Sequence, residues 1–367
     1  MQYLDEFRDP LLARVVLDRI AELVSRPWVL MEVCGGQTHS LIRYGIDQLI
    51  PPEIELIHGP GCPVCVTPIE CIDEAIMLAS QDGIILTTFA DMLRVPGSKT
   101  DLLATRAGAA EVRTVYSPLD ALKIAQENPE RQVVFFAVGF ETTVTANAMS
   151  VLQAEAQGVD NFSLLLSQVT VPPAIAAIAG SPDNRVQAFL AAGHVCTVMG
   201  YWQYETLANQ LGVPIVIAGF EPLDLLLAIE AAIRQLEQAQ AQVENQYSRC
   251  VSLQGNIRAQ QLIRQVFREA GQTWRGLGEL AASGLVLQAD YIKFDARWRF
   301  KLTPKPAVPT QECRAGEVLT GRLKPVDCPH FGNRCNPQSP MGATMVSAEG
   351  ACAAYFNYRQ PADVISA

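Results

Sequence analysis

The stretch QVVFFAVGFE, residues 132–141, contains the apolar run Val133–Val138, which is typical of a buried β-strand. Similar short runs alternate with helical patterns over the first two-thirds of the chain, and this alternation predicts parallel α/β units. The other candidate strands are Val29–Val33, Ile54–Ile57, Gly83–Thr88, Val112–Tyr116, Phe162–Leu166, Val195–Met199 and Ile215–Ala218.

The fold class that this pattern predicts is α/β, with two doubly wound parallel-sheet domains and a smaller third part. A length of 367 residues fits two or three domains better than one core. We expect the domains at residues 1–123 and 124–248, followed at 249–367 by a helical linker and a cysteine-rich, loop-rich domain. Eight strands could also close one barrel, but the pattern weakens near Pro118–Glu130.

Two predicted strands run into the same three residues, Gly139-Phe140-Glu141 and Gly219-Phe220-Glu221. An internal duplication and the chance recurrence of a strand-to-helix turn both explain this. Ligands of open α/β sheets bind at the carboxyl ends of strands, so both glutamates would face a crevice. The Gln- and Ala-rich stretch Leu226–Tyr247 is predicted to be helical.

Composition and charge exclude several classes of protein. The formal net charge of −10 argues against a general nucleic-acid binder, which would carry a basic face. Apolar runs stop well short of the roughly 20 residues of a membrane-spanning helix. The charged, amphipathic stretch Met1–Ile20 does not fit a secretory signal, so we expect a cytoplasmic protein. Ten cysteines in that reducing compartment indicate metal binding or redox chemistry.

The first cysteine motif is CGGQTH, from Cys34 to His39, which follows a predicted strand and opens a predicted helix with Thr38 as its N-cap. The glycines allow a tight turn and close approach of a ligand to the backbone. The positive end of the helix would favour the thiolate form of Cys34, and His39 offers a second metal ligand. A buried, inert cysteine beside a glycine-rich turn is the alternative, and the spacing leaves both open.

The second motif is GPGCPVC, residues 59–65, whose Cys62 and Cys65 have the spacing of a reversible disulfide or of half a zinc site. The residues that follow, from Thr67 to Glu70, match a capping box. This would place both thiols just before a helix N-terminus, which lowers their pKa. The chain has no second Cys-x-x-Cys to complete a zinc knuckle, so we favour redox chemistry.

Four more cysteines lie in the last part of the chain, where proline is frequent and periodicity is weak. Such a segment buries a regular core poorly, and a bound metal would supply stability. Four thiolates suit tetrahedral zinc or a cubane iron–sulfur cluster; their wide spacing favours a cluster, and scattered free thiols are the remaining alternative. The four are Cys313, Cys328, Cys335 and Cys352.

Polar residues at predicted strand ends form the last group of candidates, joined by one glutamate from the cysteine-rich part. His194 is predicted to lie between a helix ending at Gly193 and a strand. Each of these residues alone could be a helix cap or a buried group with its hydrogen bonds made. If several of them lie together at one crevice, they could relay protons. Phosphate-loop and dinucleotide-binding fingerprints are absent from the sequence, so ordinary nucleotide binding is not expected. The candidates are Asp91, Glu141, His194, Glu221 and Glu349.

Together the motifs resemble the HypD family of hydrogenase maturation proteins, and the resemblance extends from about Phe7 to Tyr358. It implies two α/β domains and a third, iron–sulfur domain with one [4Fe-4S] cluster, whose ligands would be the four late cysteines. The matching segments are Cys34–His39, Gly59–Cys65, Gly139–Thr143 and Pro340–Cys352.

The resemblance also implies roles and partners. Cys34 would hold the iron of an Fe(CN)2CO unit, shared with the amino-terminal cysteine of the small chaperone HypC. Cys62 and Cys65 would form a redox-active pair near the cluster. HypE would supply cyanide, and the finished iron unit would pass to the large subunit of a [NiFe] hydrogenase. Positions that the family places near this site match Asp91, His194 and Glu349.

On this interpretation the protein is a redox-active assembly scaffold rather than a conventional turnover enzyme. We hypothesise that electrons pass from the cluster to a Cys62–Cys65 disulfide and then toward iron at Cys34. A general thiol–disulfide oxidoreductase is the competing enzyme, and it would need only Cys62 and Cys65. A zinc-stabilised interaction module is the competing binding protein, and it would contain no iron.

Overall fold

Two parallel β-sheets flanked by helices form the centre of the structure, a computed structural model that describes residues 5–108, 110–303 and 312–359. The predicted α/β class is therefore confirmed. The strands are β1 (Trp28–Glu32), β2 (Ile54–His58), β3 (Ile84–Thr88), β4 (Val112–Thr114), β5 (Gln132–Gly139), β6 (Phe162–Gln168), β7 (Ala188–Ala192), β8 (Ile215–Ala218), β9 (Val243–Asn245), β10 (Phe267–Trp274) and β11 (Gly278–Leu287).

Helices connect most of the strands and cover both sheets. In the described ranges, none of them has the length and apolar character needed to cross a membrane. The helices are α1 (Pro10–Leu23), α2 (Gly35–Arg43), α3 (Ile46–Leu49), α4 (Pro63–Val66), α5 (Ile69–Ala79), α6 (Leu102–Ala107), α7 (Pro118–Glu127), α8 (Glu141–Gln157), α9 (Val171–Ala179), α10 (Gly193–Met199), α11 (Trp202–Leu211), α12 (Pro222–Glu237), α13 (Ile257–Val266), α14 (Ala296–Arg299), α15 (Ala315–Leu319), α16 (Ala343–Val346) and α17 (Ala351–Tyr358).

Strand order shows how the two sheets share the chain. The five-stranded sheet has the order β2-β1-β7-β8-β9, and the four-stranded sheet has the order β4-β3-β5-β6, with parallel neighbours throughout both. In sequence, the four-stranded sheet is thus inserted between two halves of the five-stranded one. The expected boundary between residues 123 and 124 lies within α7, between β4 and β5 of a single sheet. Local patterns do not encode the long-range pairing of β1 with β7.

Seven of the eight candidate strands are confirmed to within about two residues, and one is wrong. Val195–Met199 forms α10, whereas the strand is the run just before it, Ala188–Ala192, which is buried along its whole length. The predicted helix Leu226–Tyr247 is right only as far as Glu237, where α12 ends. The antiparallel hairpin β10–β11 was not predicted. Residues 304–311, in the proline-rich stretch, lie outside the described residues.

Glu141 is a carboxyl group buried in the core at the point where β5 passes into α8. Its side chain is 2% exposed, and Oε1 accepts a hydrogen bond of 2.8 Å from the backbone N–H of Val171. Oε2 has no hydrogen-bond partner among the described residues. Burial penalises the charged form and raises the pKa of Glu141 to about 7. Glu141 therefore belongs to the core at this strand end and loses its proton at an unusually high pH for a carboxyl group.

Replacement of Glu141 by Gln tests this burial through its pH dependence. In the unfolded chain the carboxyl ionises near its ordinary pKa of 4.5, whereas the folded protein keeps its proton up to about pH 7, so rising pH destabilises the wild type across this window. The variant should not lose stability in this way. Its unfolding free energy minus that of wild type should therefore be about 3 kcal/mol larger at about pH 8 than at about pH 4. Urea denaturation at the two pH values measures it.

The control for this experiment is Glu130→Gln, which removes an exposed carboxyl and should leave the pH dependence of unfolding unchanged. A Glu141→Gln variant whose stability differs from wild type by the same amount at both pH values would show that the buried carboxyl does not titrate as described.

Candidate functional site

The first cysteine motif lies where β1 ends and α2 begins. Cys34 occupies the N-cap position of α2 and is 1% exposed, so the helix starts earlier than the predicted cap at Thr38. The hydroxyl of Thr38 is instead inside the helix, where it donates hydrogen bonds to the buried carboxylate of Glu32 and to the carbonyl of Cys34. The motif thus places its thiol, rather than a hydroxyl, at the helix N-terminus.

His194 comes to the same point from a neighbouring strand. It is the second residue of α10, directly after β7, so its predicted position between a helix and a strand is wrong. Because β1 and β7 are parallel neighbours, their carboxyl ends meet at one sheet edge, and Nδ1 of His194 lies 3.5 Å from Sγ of Cys34. Burial lowers the pKa of His194 to about 4, so its imidazole is neutral near pH 7.

The Cys34 thiol does not have the low pKa that its helix N-terminus predicted. Burial raises the pKa of Cys34 to about 12, although the backbone N–H groups of Gln37 and Gly36 lower it and the nearby Glu349 charge raises it further. Desolvation of a buried thiolate therefore outweighs the helix dipole in the metal-free chain. A metal cation reverses this balance, since a coordinating thiol loses its proton.

The two cysteine motifs are joined by their backbones. The N–H of Gly35 donates a hydrogen bond of 2.8 Å to the carbonyl of Gly61, and the N–H of Gly59 donates one of 2.8 Å to the carbonyl of Glu32. A Cβ atom added to Gly61 would overlap the backbone of Cys34. Glycine at position 61 is therefore required for the loop after β2 to lie against the loop after β1.

Cys62 and Cys65 form a disulfide with a Cα–Cα separation of 5.2 Å. Cys62 is the N-cap of the short helix α4, and its Sγ accepts a hydrogen bond of 3.2 Å from the N–H of Cys65. The predicted capping box is wrong: Pro68 occupies the N-cap of α5, and Thr67 donates its hydroxyl to the carbonyl of Pro63 at 2.9 Å. Cys62 and Cys65 therefore lie at the start of α4, and not directly before α5.

The four late cysteines surround one cavity. Its lining also includes hydrophobic side chains such as Val318, Phe331 and Met345. Two of the thiols already accept hydrogen bonds, Cys335 from the N–H of Met341 at 3.4 Å and Cys352 from the hydroxyl of Thr344 at 3.2 Å. The cysteines that line the cavity are Cys313, Cys328, Cys335 and Cys352.

The four thiols of this cavity differ in exposure: Cys335 and Cys352 are buried, and Cys313 and Cys328 are half-buried. In the described parts of the chain, no group of three His, Cys, Asp or Glu side chains is arranged to hold a single metal ion. Burial raises the pKa of Cys352 to about 12 and that of Cys313 above its ordinary value. Binding at the cavity would therefore release protons.

The segment Met341–Thr344 connects this cavity to the disulfide. Sγ of Cys65 lies 3.9 Å from the carbonyl oxygen of Ala343. A Cβ added to the preceding Gly342 would overlap Sγ of Cys313. The disulfide and Cys313 thus lie against adjacent residues of one short segment, so this part of the late segment packs against the second motif.

The loop Ser347–Glu349 brings the remaining polar candidates to the Cys34 side. Ser347 donates a hydrogen bond of 3.1 Å to Oδ2 of Asp91, and Nδ1 of His39 lies 3.2 Å from the carbonyl oxygen of Ala348. A Cβ on Gly35 would meet the backbone of Glu349, so this loop packs on the first turn of α2. Burial and the charge of Asp91 raise the pKa of Glu349.

Glu221 and Glu141 do not belong to this site. Glu221 is the N-cap of α12, where it forms a capping box with Asp224 and an ion pair with Arg8. Glu141 is the core residue described above. Of the strand-end candidates, the structure therefore brings only Asp91, His194 and Glu349 toward the first motif.

Two residues near Cys34 were not predicted. Cys196 and Tyr204 share its buried cluster. Burial raises the pKa of both side chains, and the negative charges of Glu141 and then Cys34 raise it further. The hydroxyl of Tyr204 has no hydrogen-bond partner among the described residues. A lone cysteine and a lone tyrosine on helices form no motif, so no sequence pattern identifies either residue.

Comparison with known proteins identifies the family. Residues 11–359 match the family model HypD, described as the hydrogenase formation hypA family. The chain is 47% identical to the hydrogenase maturation factor HypD of Escherichia coli (strain K12), over 98% of this chain and 99% of that protein. Identity to the factor of the same name from Rhodobacter capsulatus is 47%, over 98% of each chain. The chain therefore belongs to the HypD family.

Proposed function

We propose that this protein acts in hydrogenase maturation, as a redox-active scaffold on which the Fe(CN)2CO unit of a [NiFe] hydrogenase is assembled. Membership of the HypD family supports the role in hydrogenase maturation. The observation that carries the chemistry is the Gly61–Gly35 backbone contact, which brings a buried thiol and a buried disulfide together. The small chaperone HypC as a second iron ligand, HypE as the cyanide donor, the hydrogenase large subunit as the recipient and a cytoplasmic location are parts of the same proposal.

Cys34 is the residue that would bind the iron, which is the cargo of the scaffold. Its soft sulfur suits low-spin iron with cyanide and carbonyl ligands, and a thiolate is the form that binds. The imidazole of His194, 3.5 Å away, can accept a hydrogen bond from the thiol. Burial lowers the pKa of His194 to about 4, so this imidazole can pass the proton of the thiol on to solvent but does not keep it near pH 7. Glu349, whose pKa is raised by burial and by the charge of Asp91, lies against the first turn of α2.

The four late cysteines are the proposed ligands of a resident [4Fe-4S] cluster, which when bound supplies electrons one at a time. The Cys62–Cys65 disulfide takes up two electrons and two protons to become two thiols, so this pair can store reducing equivalents. The contact of Cys65 with Ala343 and the backbone hydrogen bond between Gly35 and Gly61 support a relay that runs from the cavity through this pair to Cys34.

A general thiol–disulfide oxidoreductase is disfavoured by burial. Cys62 is 2% exposed and Cys65 is fully buried. Exchange with a protein substrate needs access for an attacking thiolate. The disulfide therefore suits internal electron storage better than reaction with external proteins.

Replacement of Cys62 by Ser tests the redox role. In a bacterium that lacks its own family member, the wild-type protein should restore hydrogenase activity, whereas the variant should leave it at background because the pair can no longer store electrons. Visible absorption of the variant, purified without oxygen, should match that of wild type, since the late cysteines are intact. Cys250→Ser, which changes an exposed cysteine, is the control and should restore activity fully. Normal activity with Cys62→Ser would reject the redox role.

Replacement of Gly61 by Ala tests the contact between the motifs. The added methyl group overlaps the Cys34 backbone, so we expect a loss of about 1–3 kcal/mol of stability and of most hydrogenase activity in the same complementation assay. Visible absorption should persist, because the late cysteines are not touched. Gly108→Ala has only ordinary contacts and should behave as wild type. Full activity of Gly61→Ala would mean that the position of Cys34 against this loop does not matter.

A further inference from the structure

Arg275, in the turn between β10 and β11, is bound to the segment that directly follows the disulfide. Its backbone N–H donates a hydrogen bond of 2.7 Å to the carbonyl of Val66, and its Nε donates one of 2.8 Å to the carbonyl of Thr67. These acceptors are the first two residues after Cys65. The turn is therefore fixed, by backbone and side chain together, to the end of α4.

The same turn packs against the start of the late cysteine segment. Gly276 has a φ of +87°, and a Cβ atom added to it would lie 2.6 Å from Cα of Gly316, so the two backbones are in direct contact. Arg275 and Cys313 line one cavity, together with Glu70 and Met341. Arg275 thus lies between the disulfide segment and Cys313.

The guanidinium of Arg275 has an unused donor. Nη2 is buried, and no atom of the described residues accepts a hydrogen bond from it. A buried N–H group without a partner on a permanently charged side chain is costly, so Nη2 is available to donate to a group bound in this cavity.

We propose that Arg275 is a positioning residue for the proposed cluster, supplying a positive charge and a free N–H donor beside its Cys313 ligand. The inference rests on the proposed function, because it assumes that the late cysteines hold iron and sulfide. Reduction adds a negative charge to a cluster, and nearby positive charge or hydrogen bonds to its sulfurs stabilise the reduced form. Arg275 would therefore raise the reduction potential of a cluster held by Cys313 and the other late cysteines.

The test compares three variants of the full-length protein, purified without oxygen: Arg275→Gln, Arg275→Lys and the control Arg268→Gln, which changes an exposed arginine on β10. Iron and acid-labile sulfide are measured first, and the reduction potential is then obtained from a redox titration followed by electron paramagnetic resonance. We expect Arg275→Gln to shift the potential to more negative values. Arg275→Lys should keep most of the wild-type potential, and Arg268→Gln all of it.

The outcomes separate this inference from the function on which it rests. Wild-type protein without iron and sulfide would overturn both. A cluster in wild type together with an unchanged potential in Arg275→Gln would overturn the role of Arg275 and leave the proposed function standing. If Arg275→Gln binds no cluster, the Arg275→Lys variant provides the test. A cluster in Arg275→Lys with a potential near that of wild type supports the role of the positive charge. Loss of the cluster in Arg275→Lys as well overturns that role.

Discussion

The hydrogen bond from the N–H of Gly35 to the carbonyl of Gly61, 2.8 Å long, is the contact on which the arrangement of the site depends. Parallel pairing of β1 with β2 brings the loops that follow them to one sheet edge. Only a residue without a side chain at position 61 lets the second loop rest on the backbone of Cys34. The buried thiol and the buried disulfide are neighbours for this reason, although neither motif by itself specifies the other's position.

Burial sets the chemistry of this region. The pKa values of Cys34 and Cys352 are each raised to about 12, and that of His194 is lowered to about 4, mainly because charged forms are poorly solvated there. Without metal, the site is therefore a set of neutral thiols and a neutral imidazole. A cation that enters converts thiols to thiolates and releases protons, so metal loading and proton movement are linked. Such a site discriminates against weakly binding cations, because each must offset the cost of deprotonation.

Local patterns were enough to predict the α/β class and most strands, because buried parallel strands are continuous apolar runs. Local patterns failed where contacts between distant parts of the chain determine which segment forms a strand and which strands pair. The pairing of β1 with β7 across the inserted sheet has no local signature. Val195–Met199 has the composition of a strand, but Ala188–Ala192 forms the strand in this sheet, and the residues after it form α10. The low thiol pKa expected from a helix N-terminus was wrong because sequence does not show the depth of burial. Arg275 was missed since a single arginine forms no motif.

The proposed scaffold requires that the late cysteines together bind an iron–sulfur cluster, within reach of the disulfide segment. Native mass spectrometry of the protein, produced and purified without oxygen, tests it most directly. We expect a mass above that of the chain by four iron and four sulfide atoms, and we expect this excess to disappear when Cys313 and Cys352 are both replaced by Ser. A mass that corresponds to the bare chain, or to the chain with one zinc ion, would contradict it.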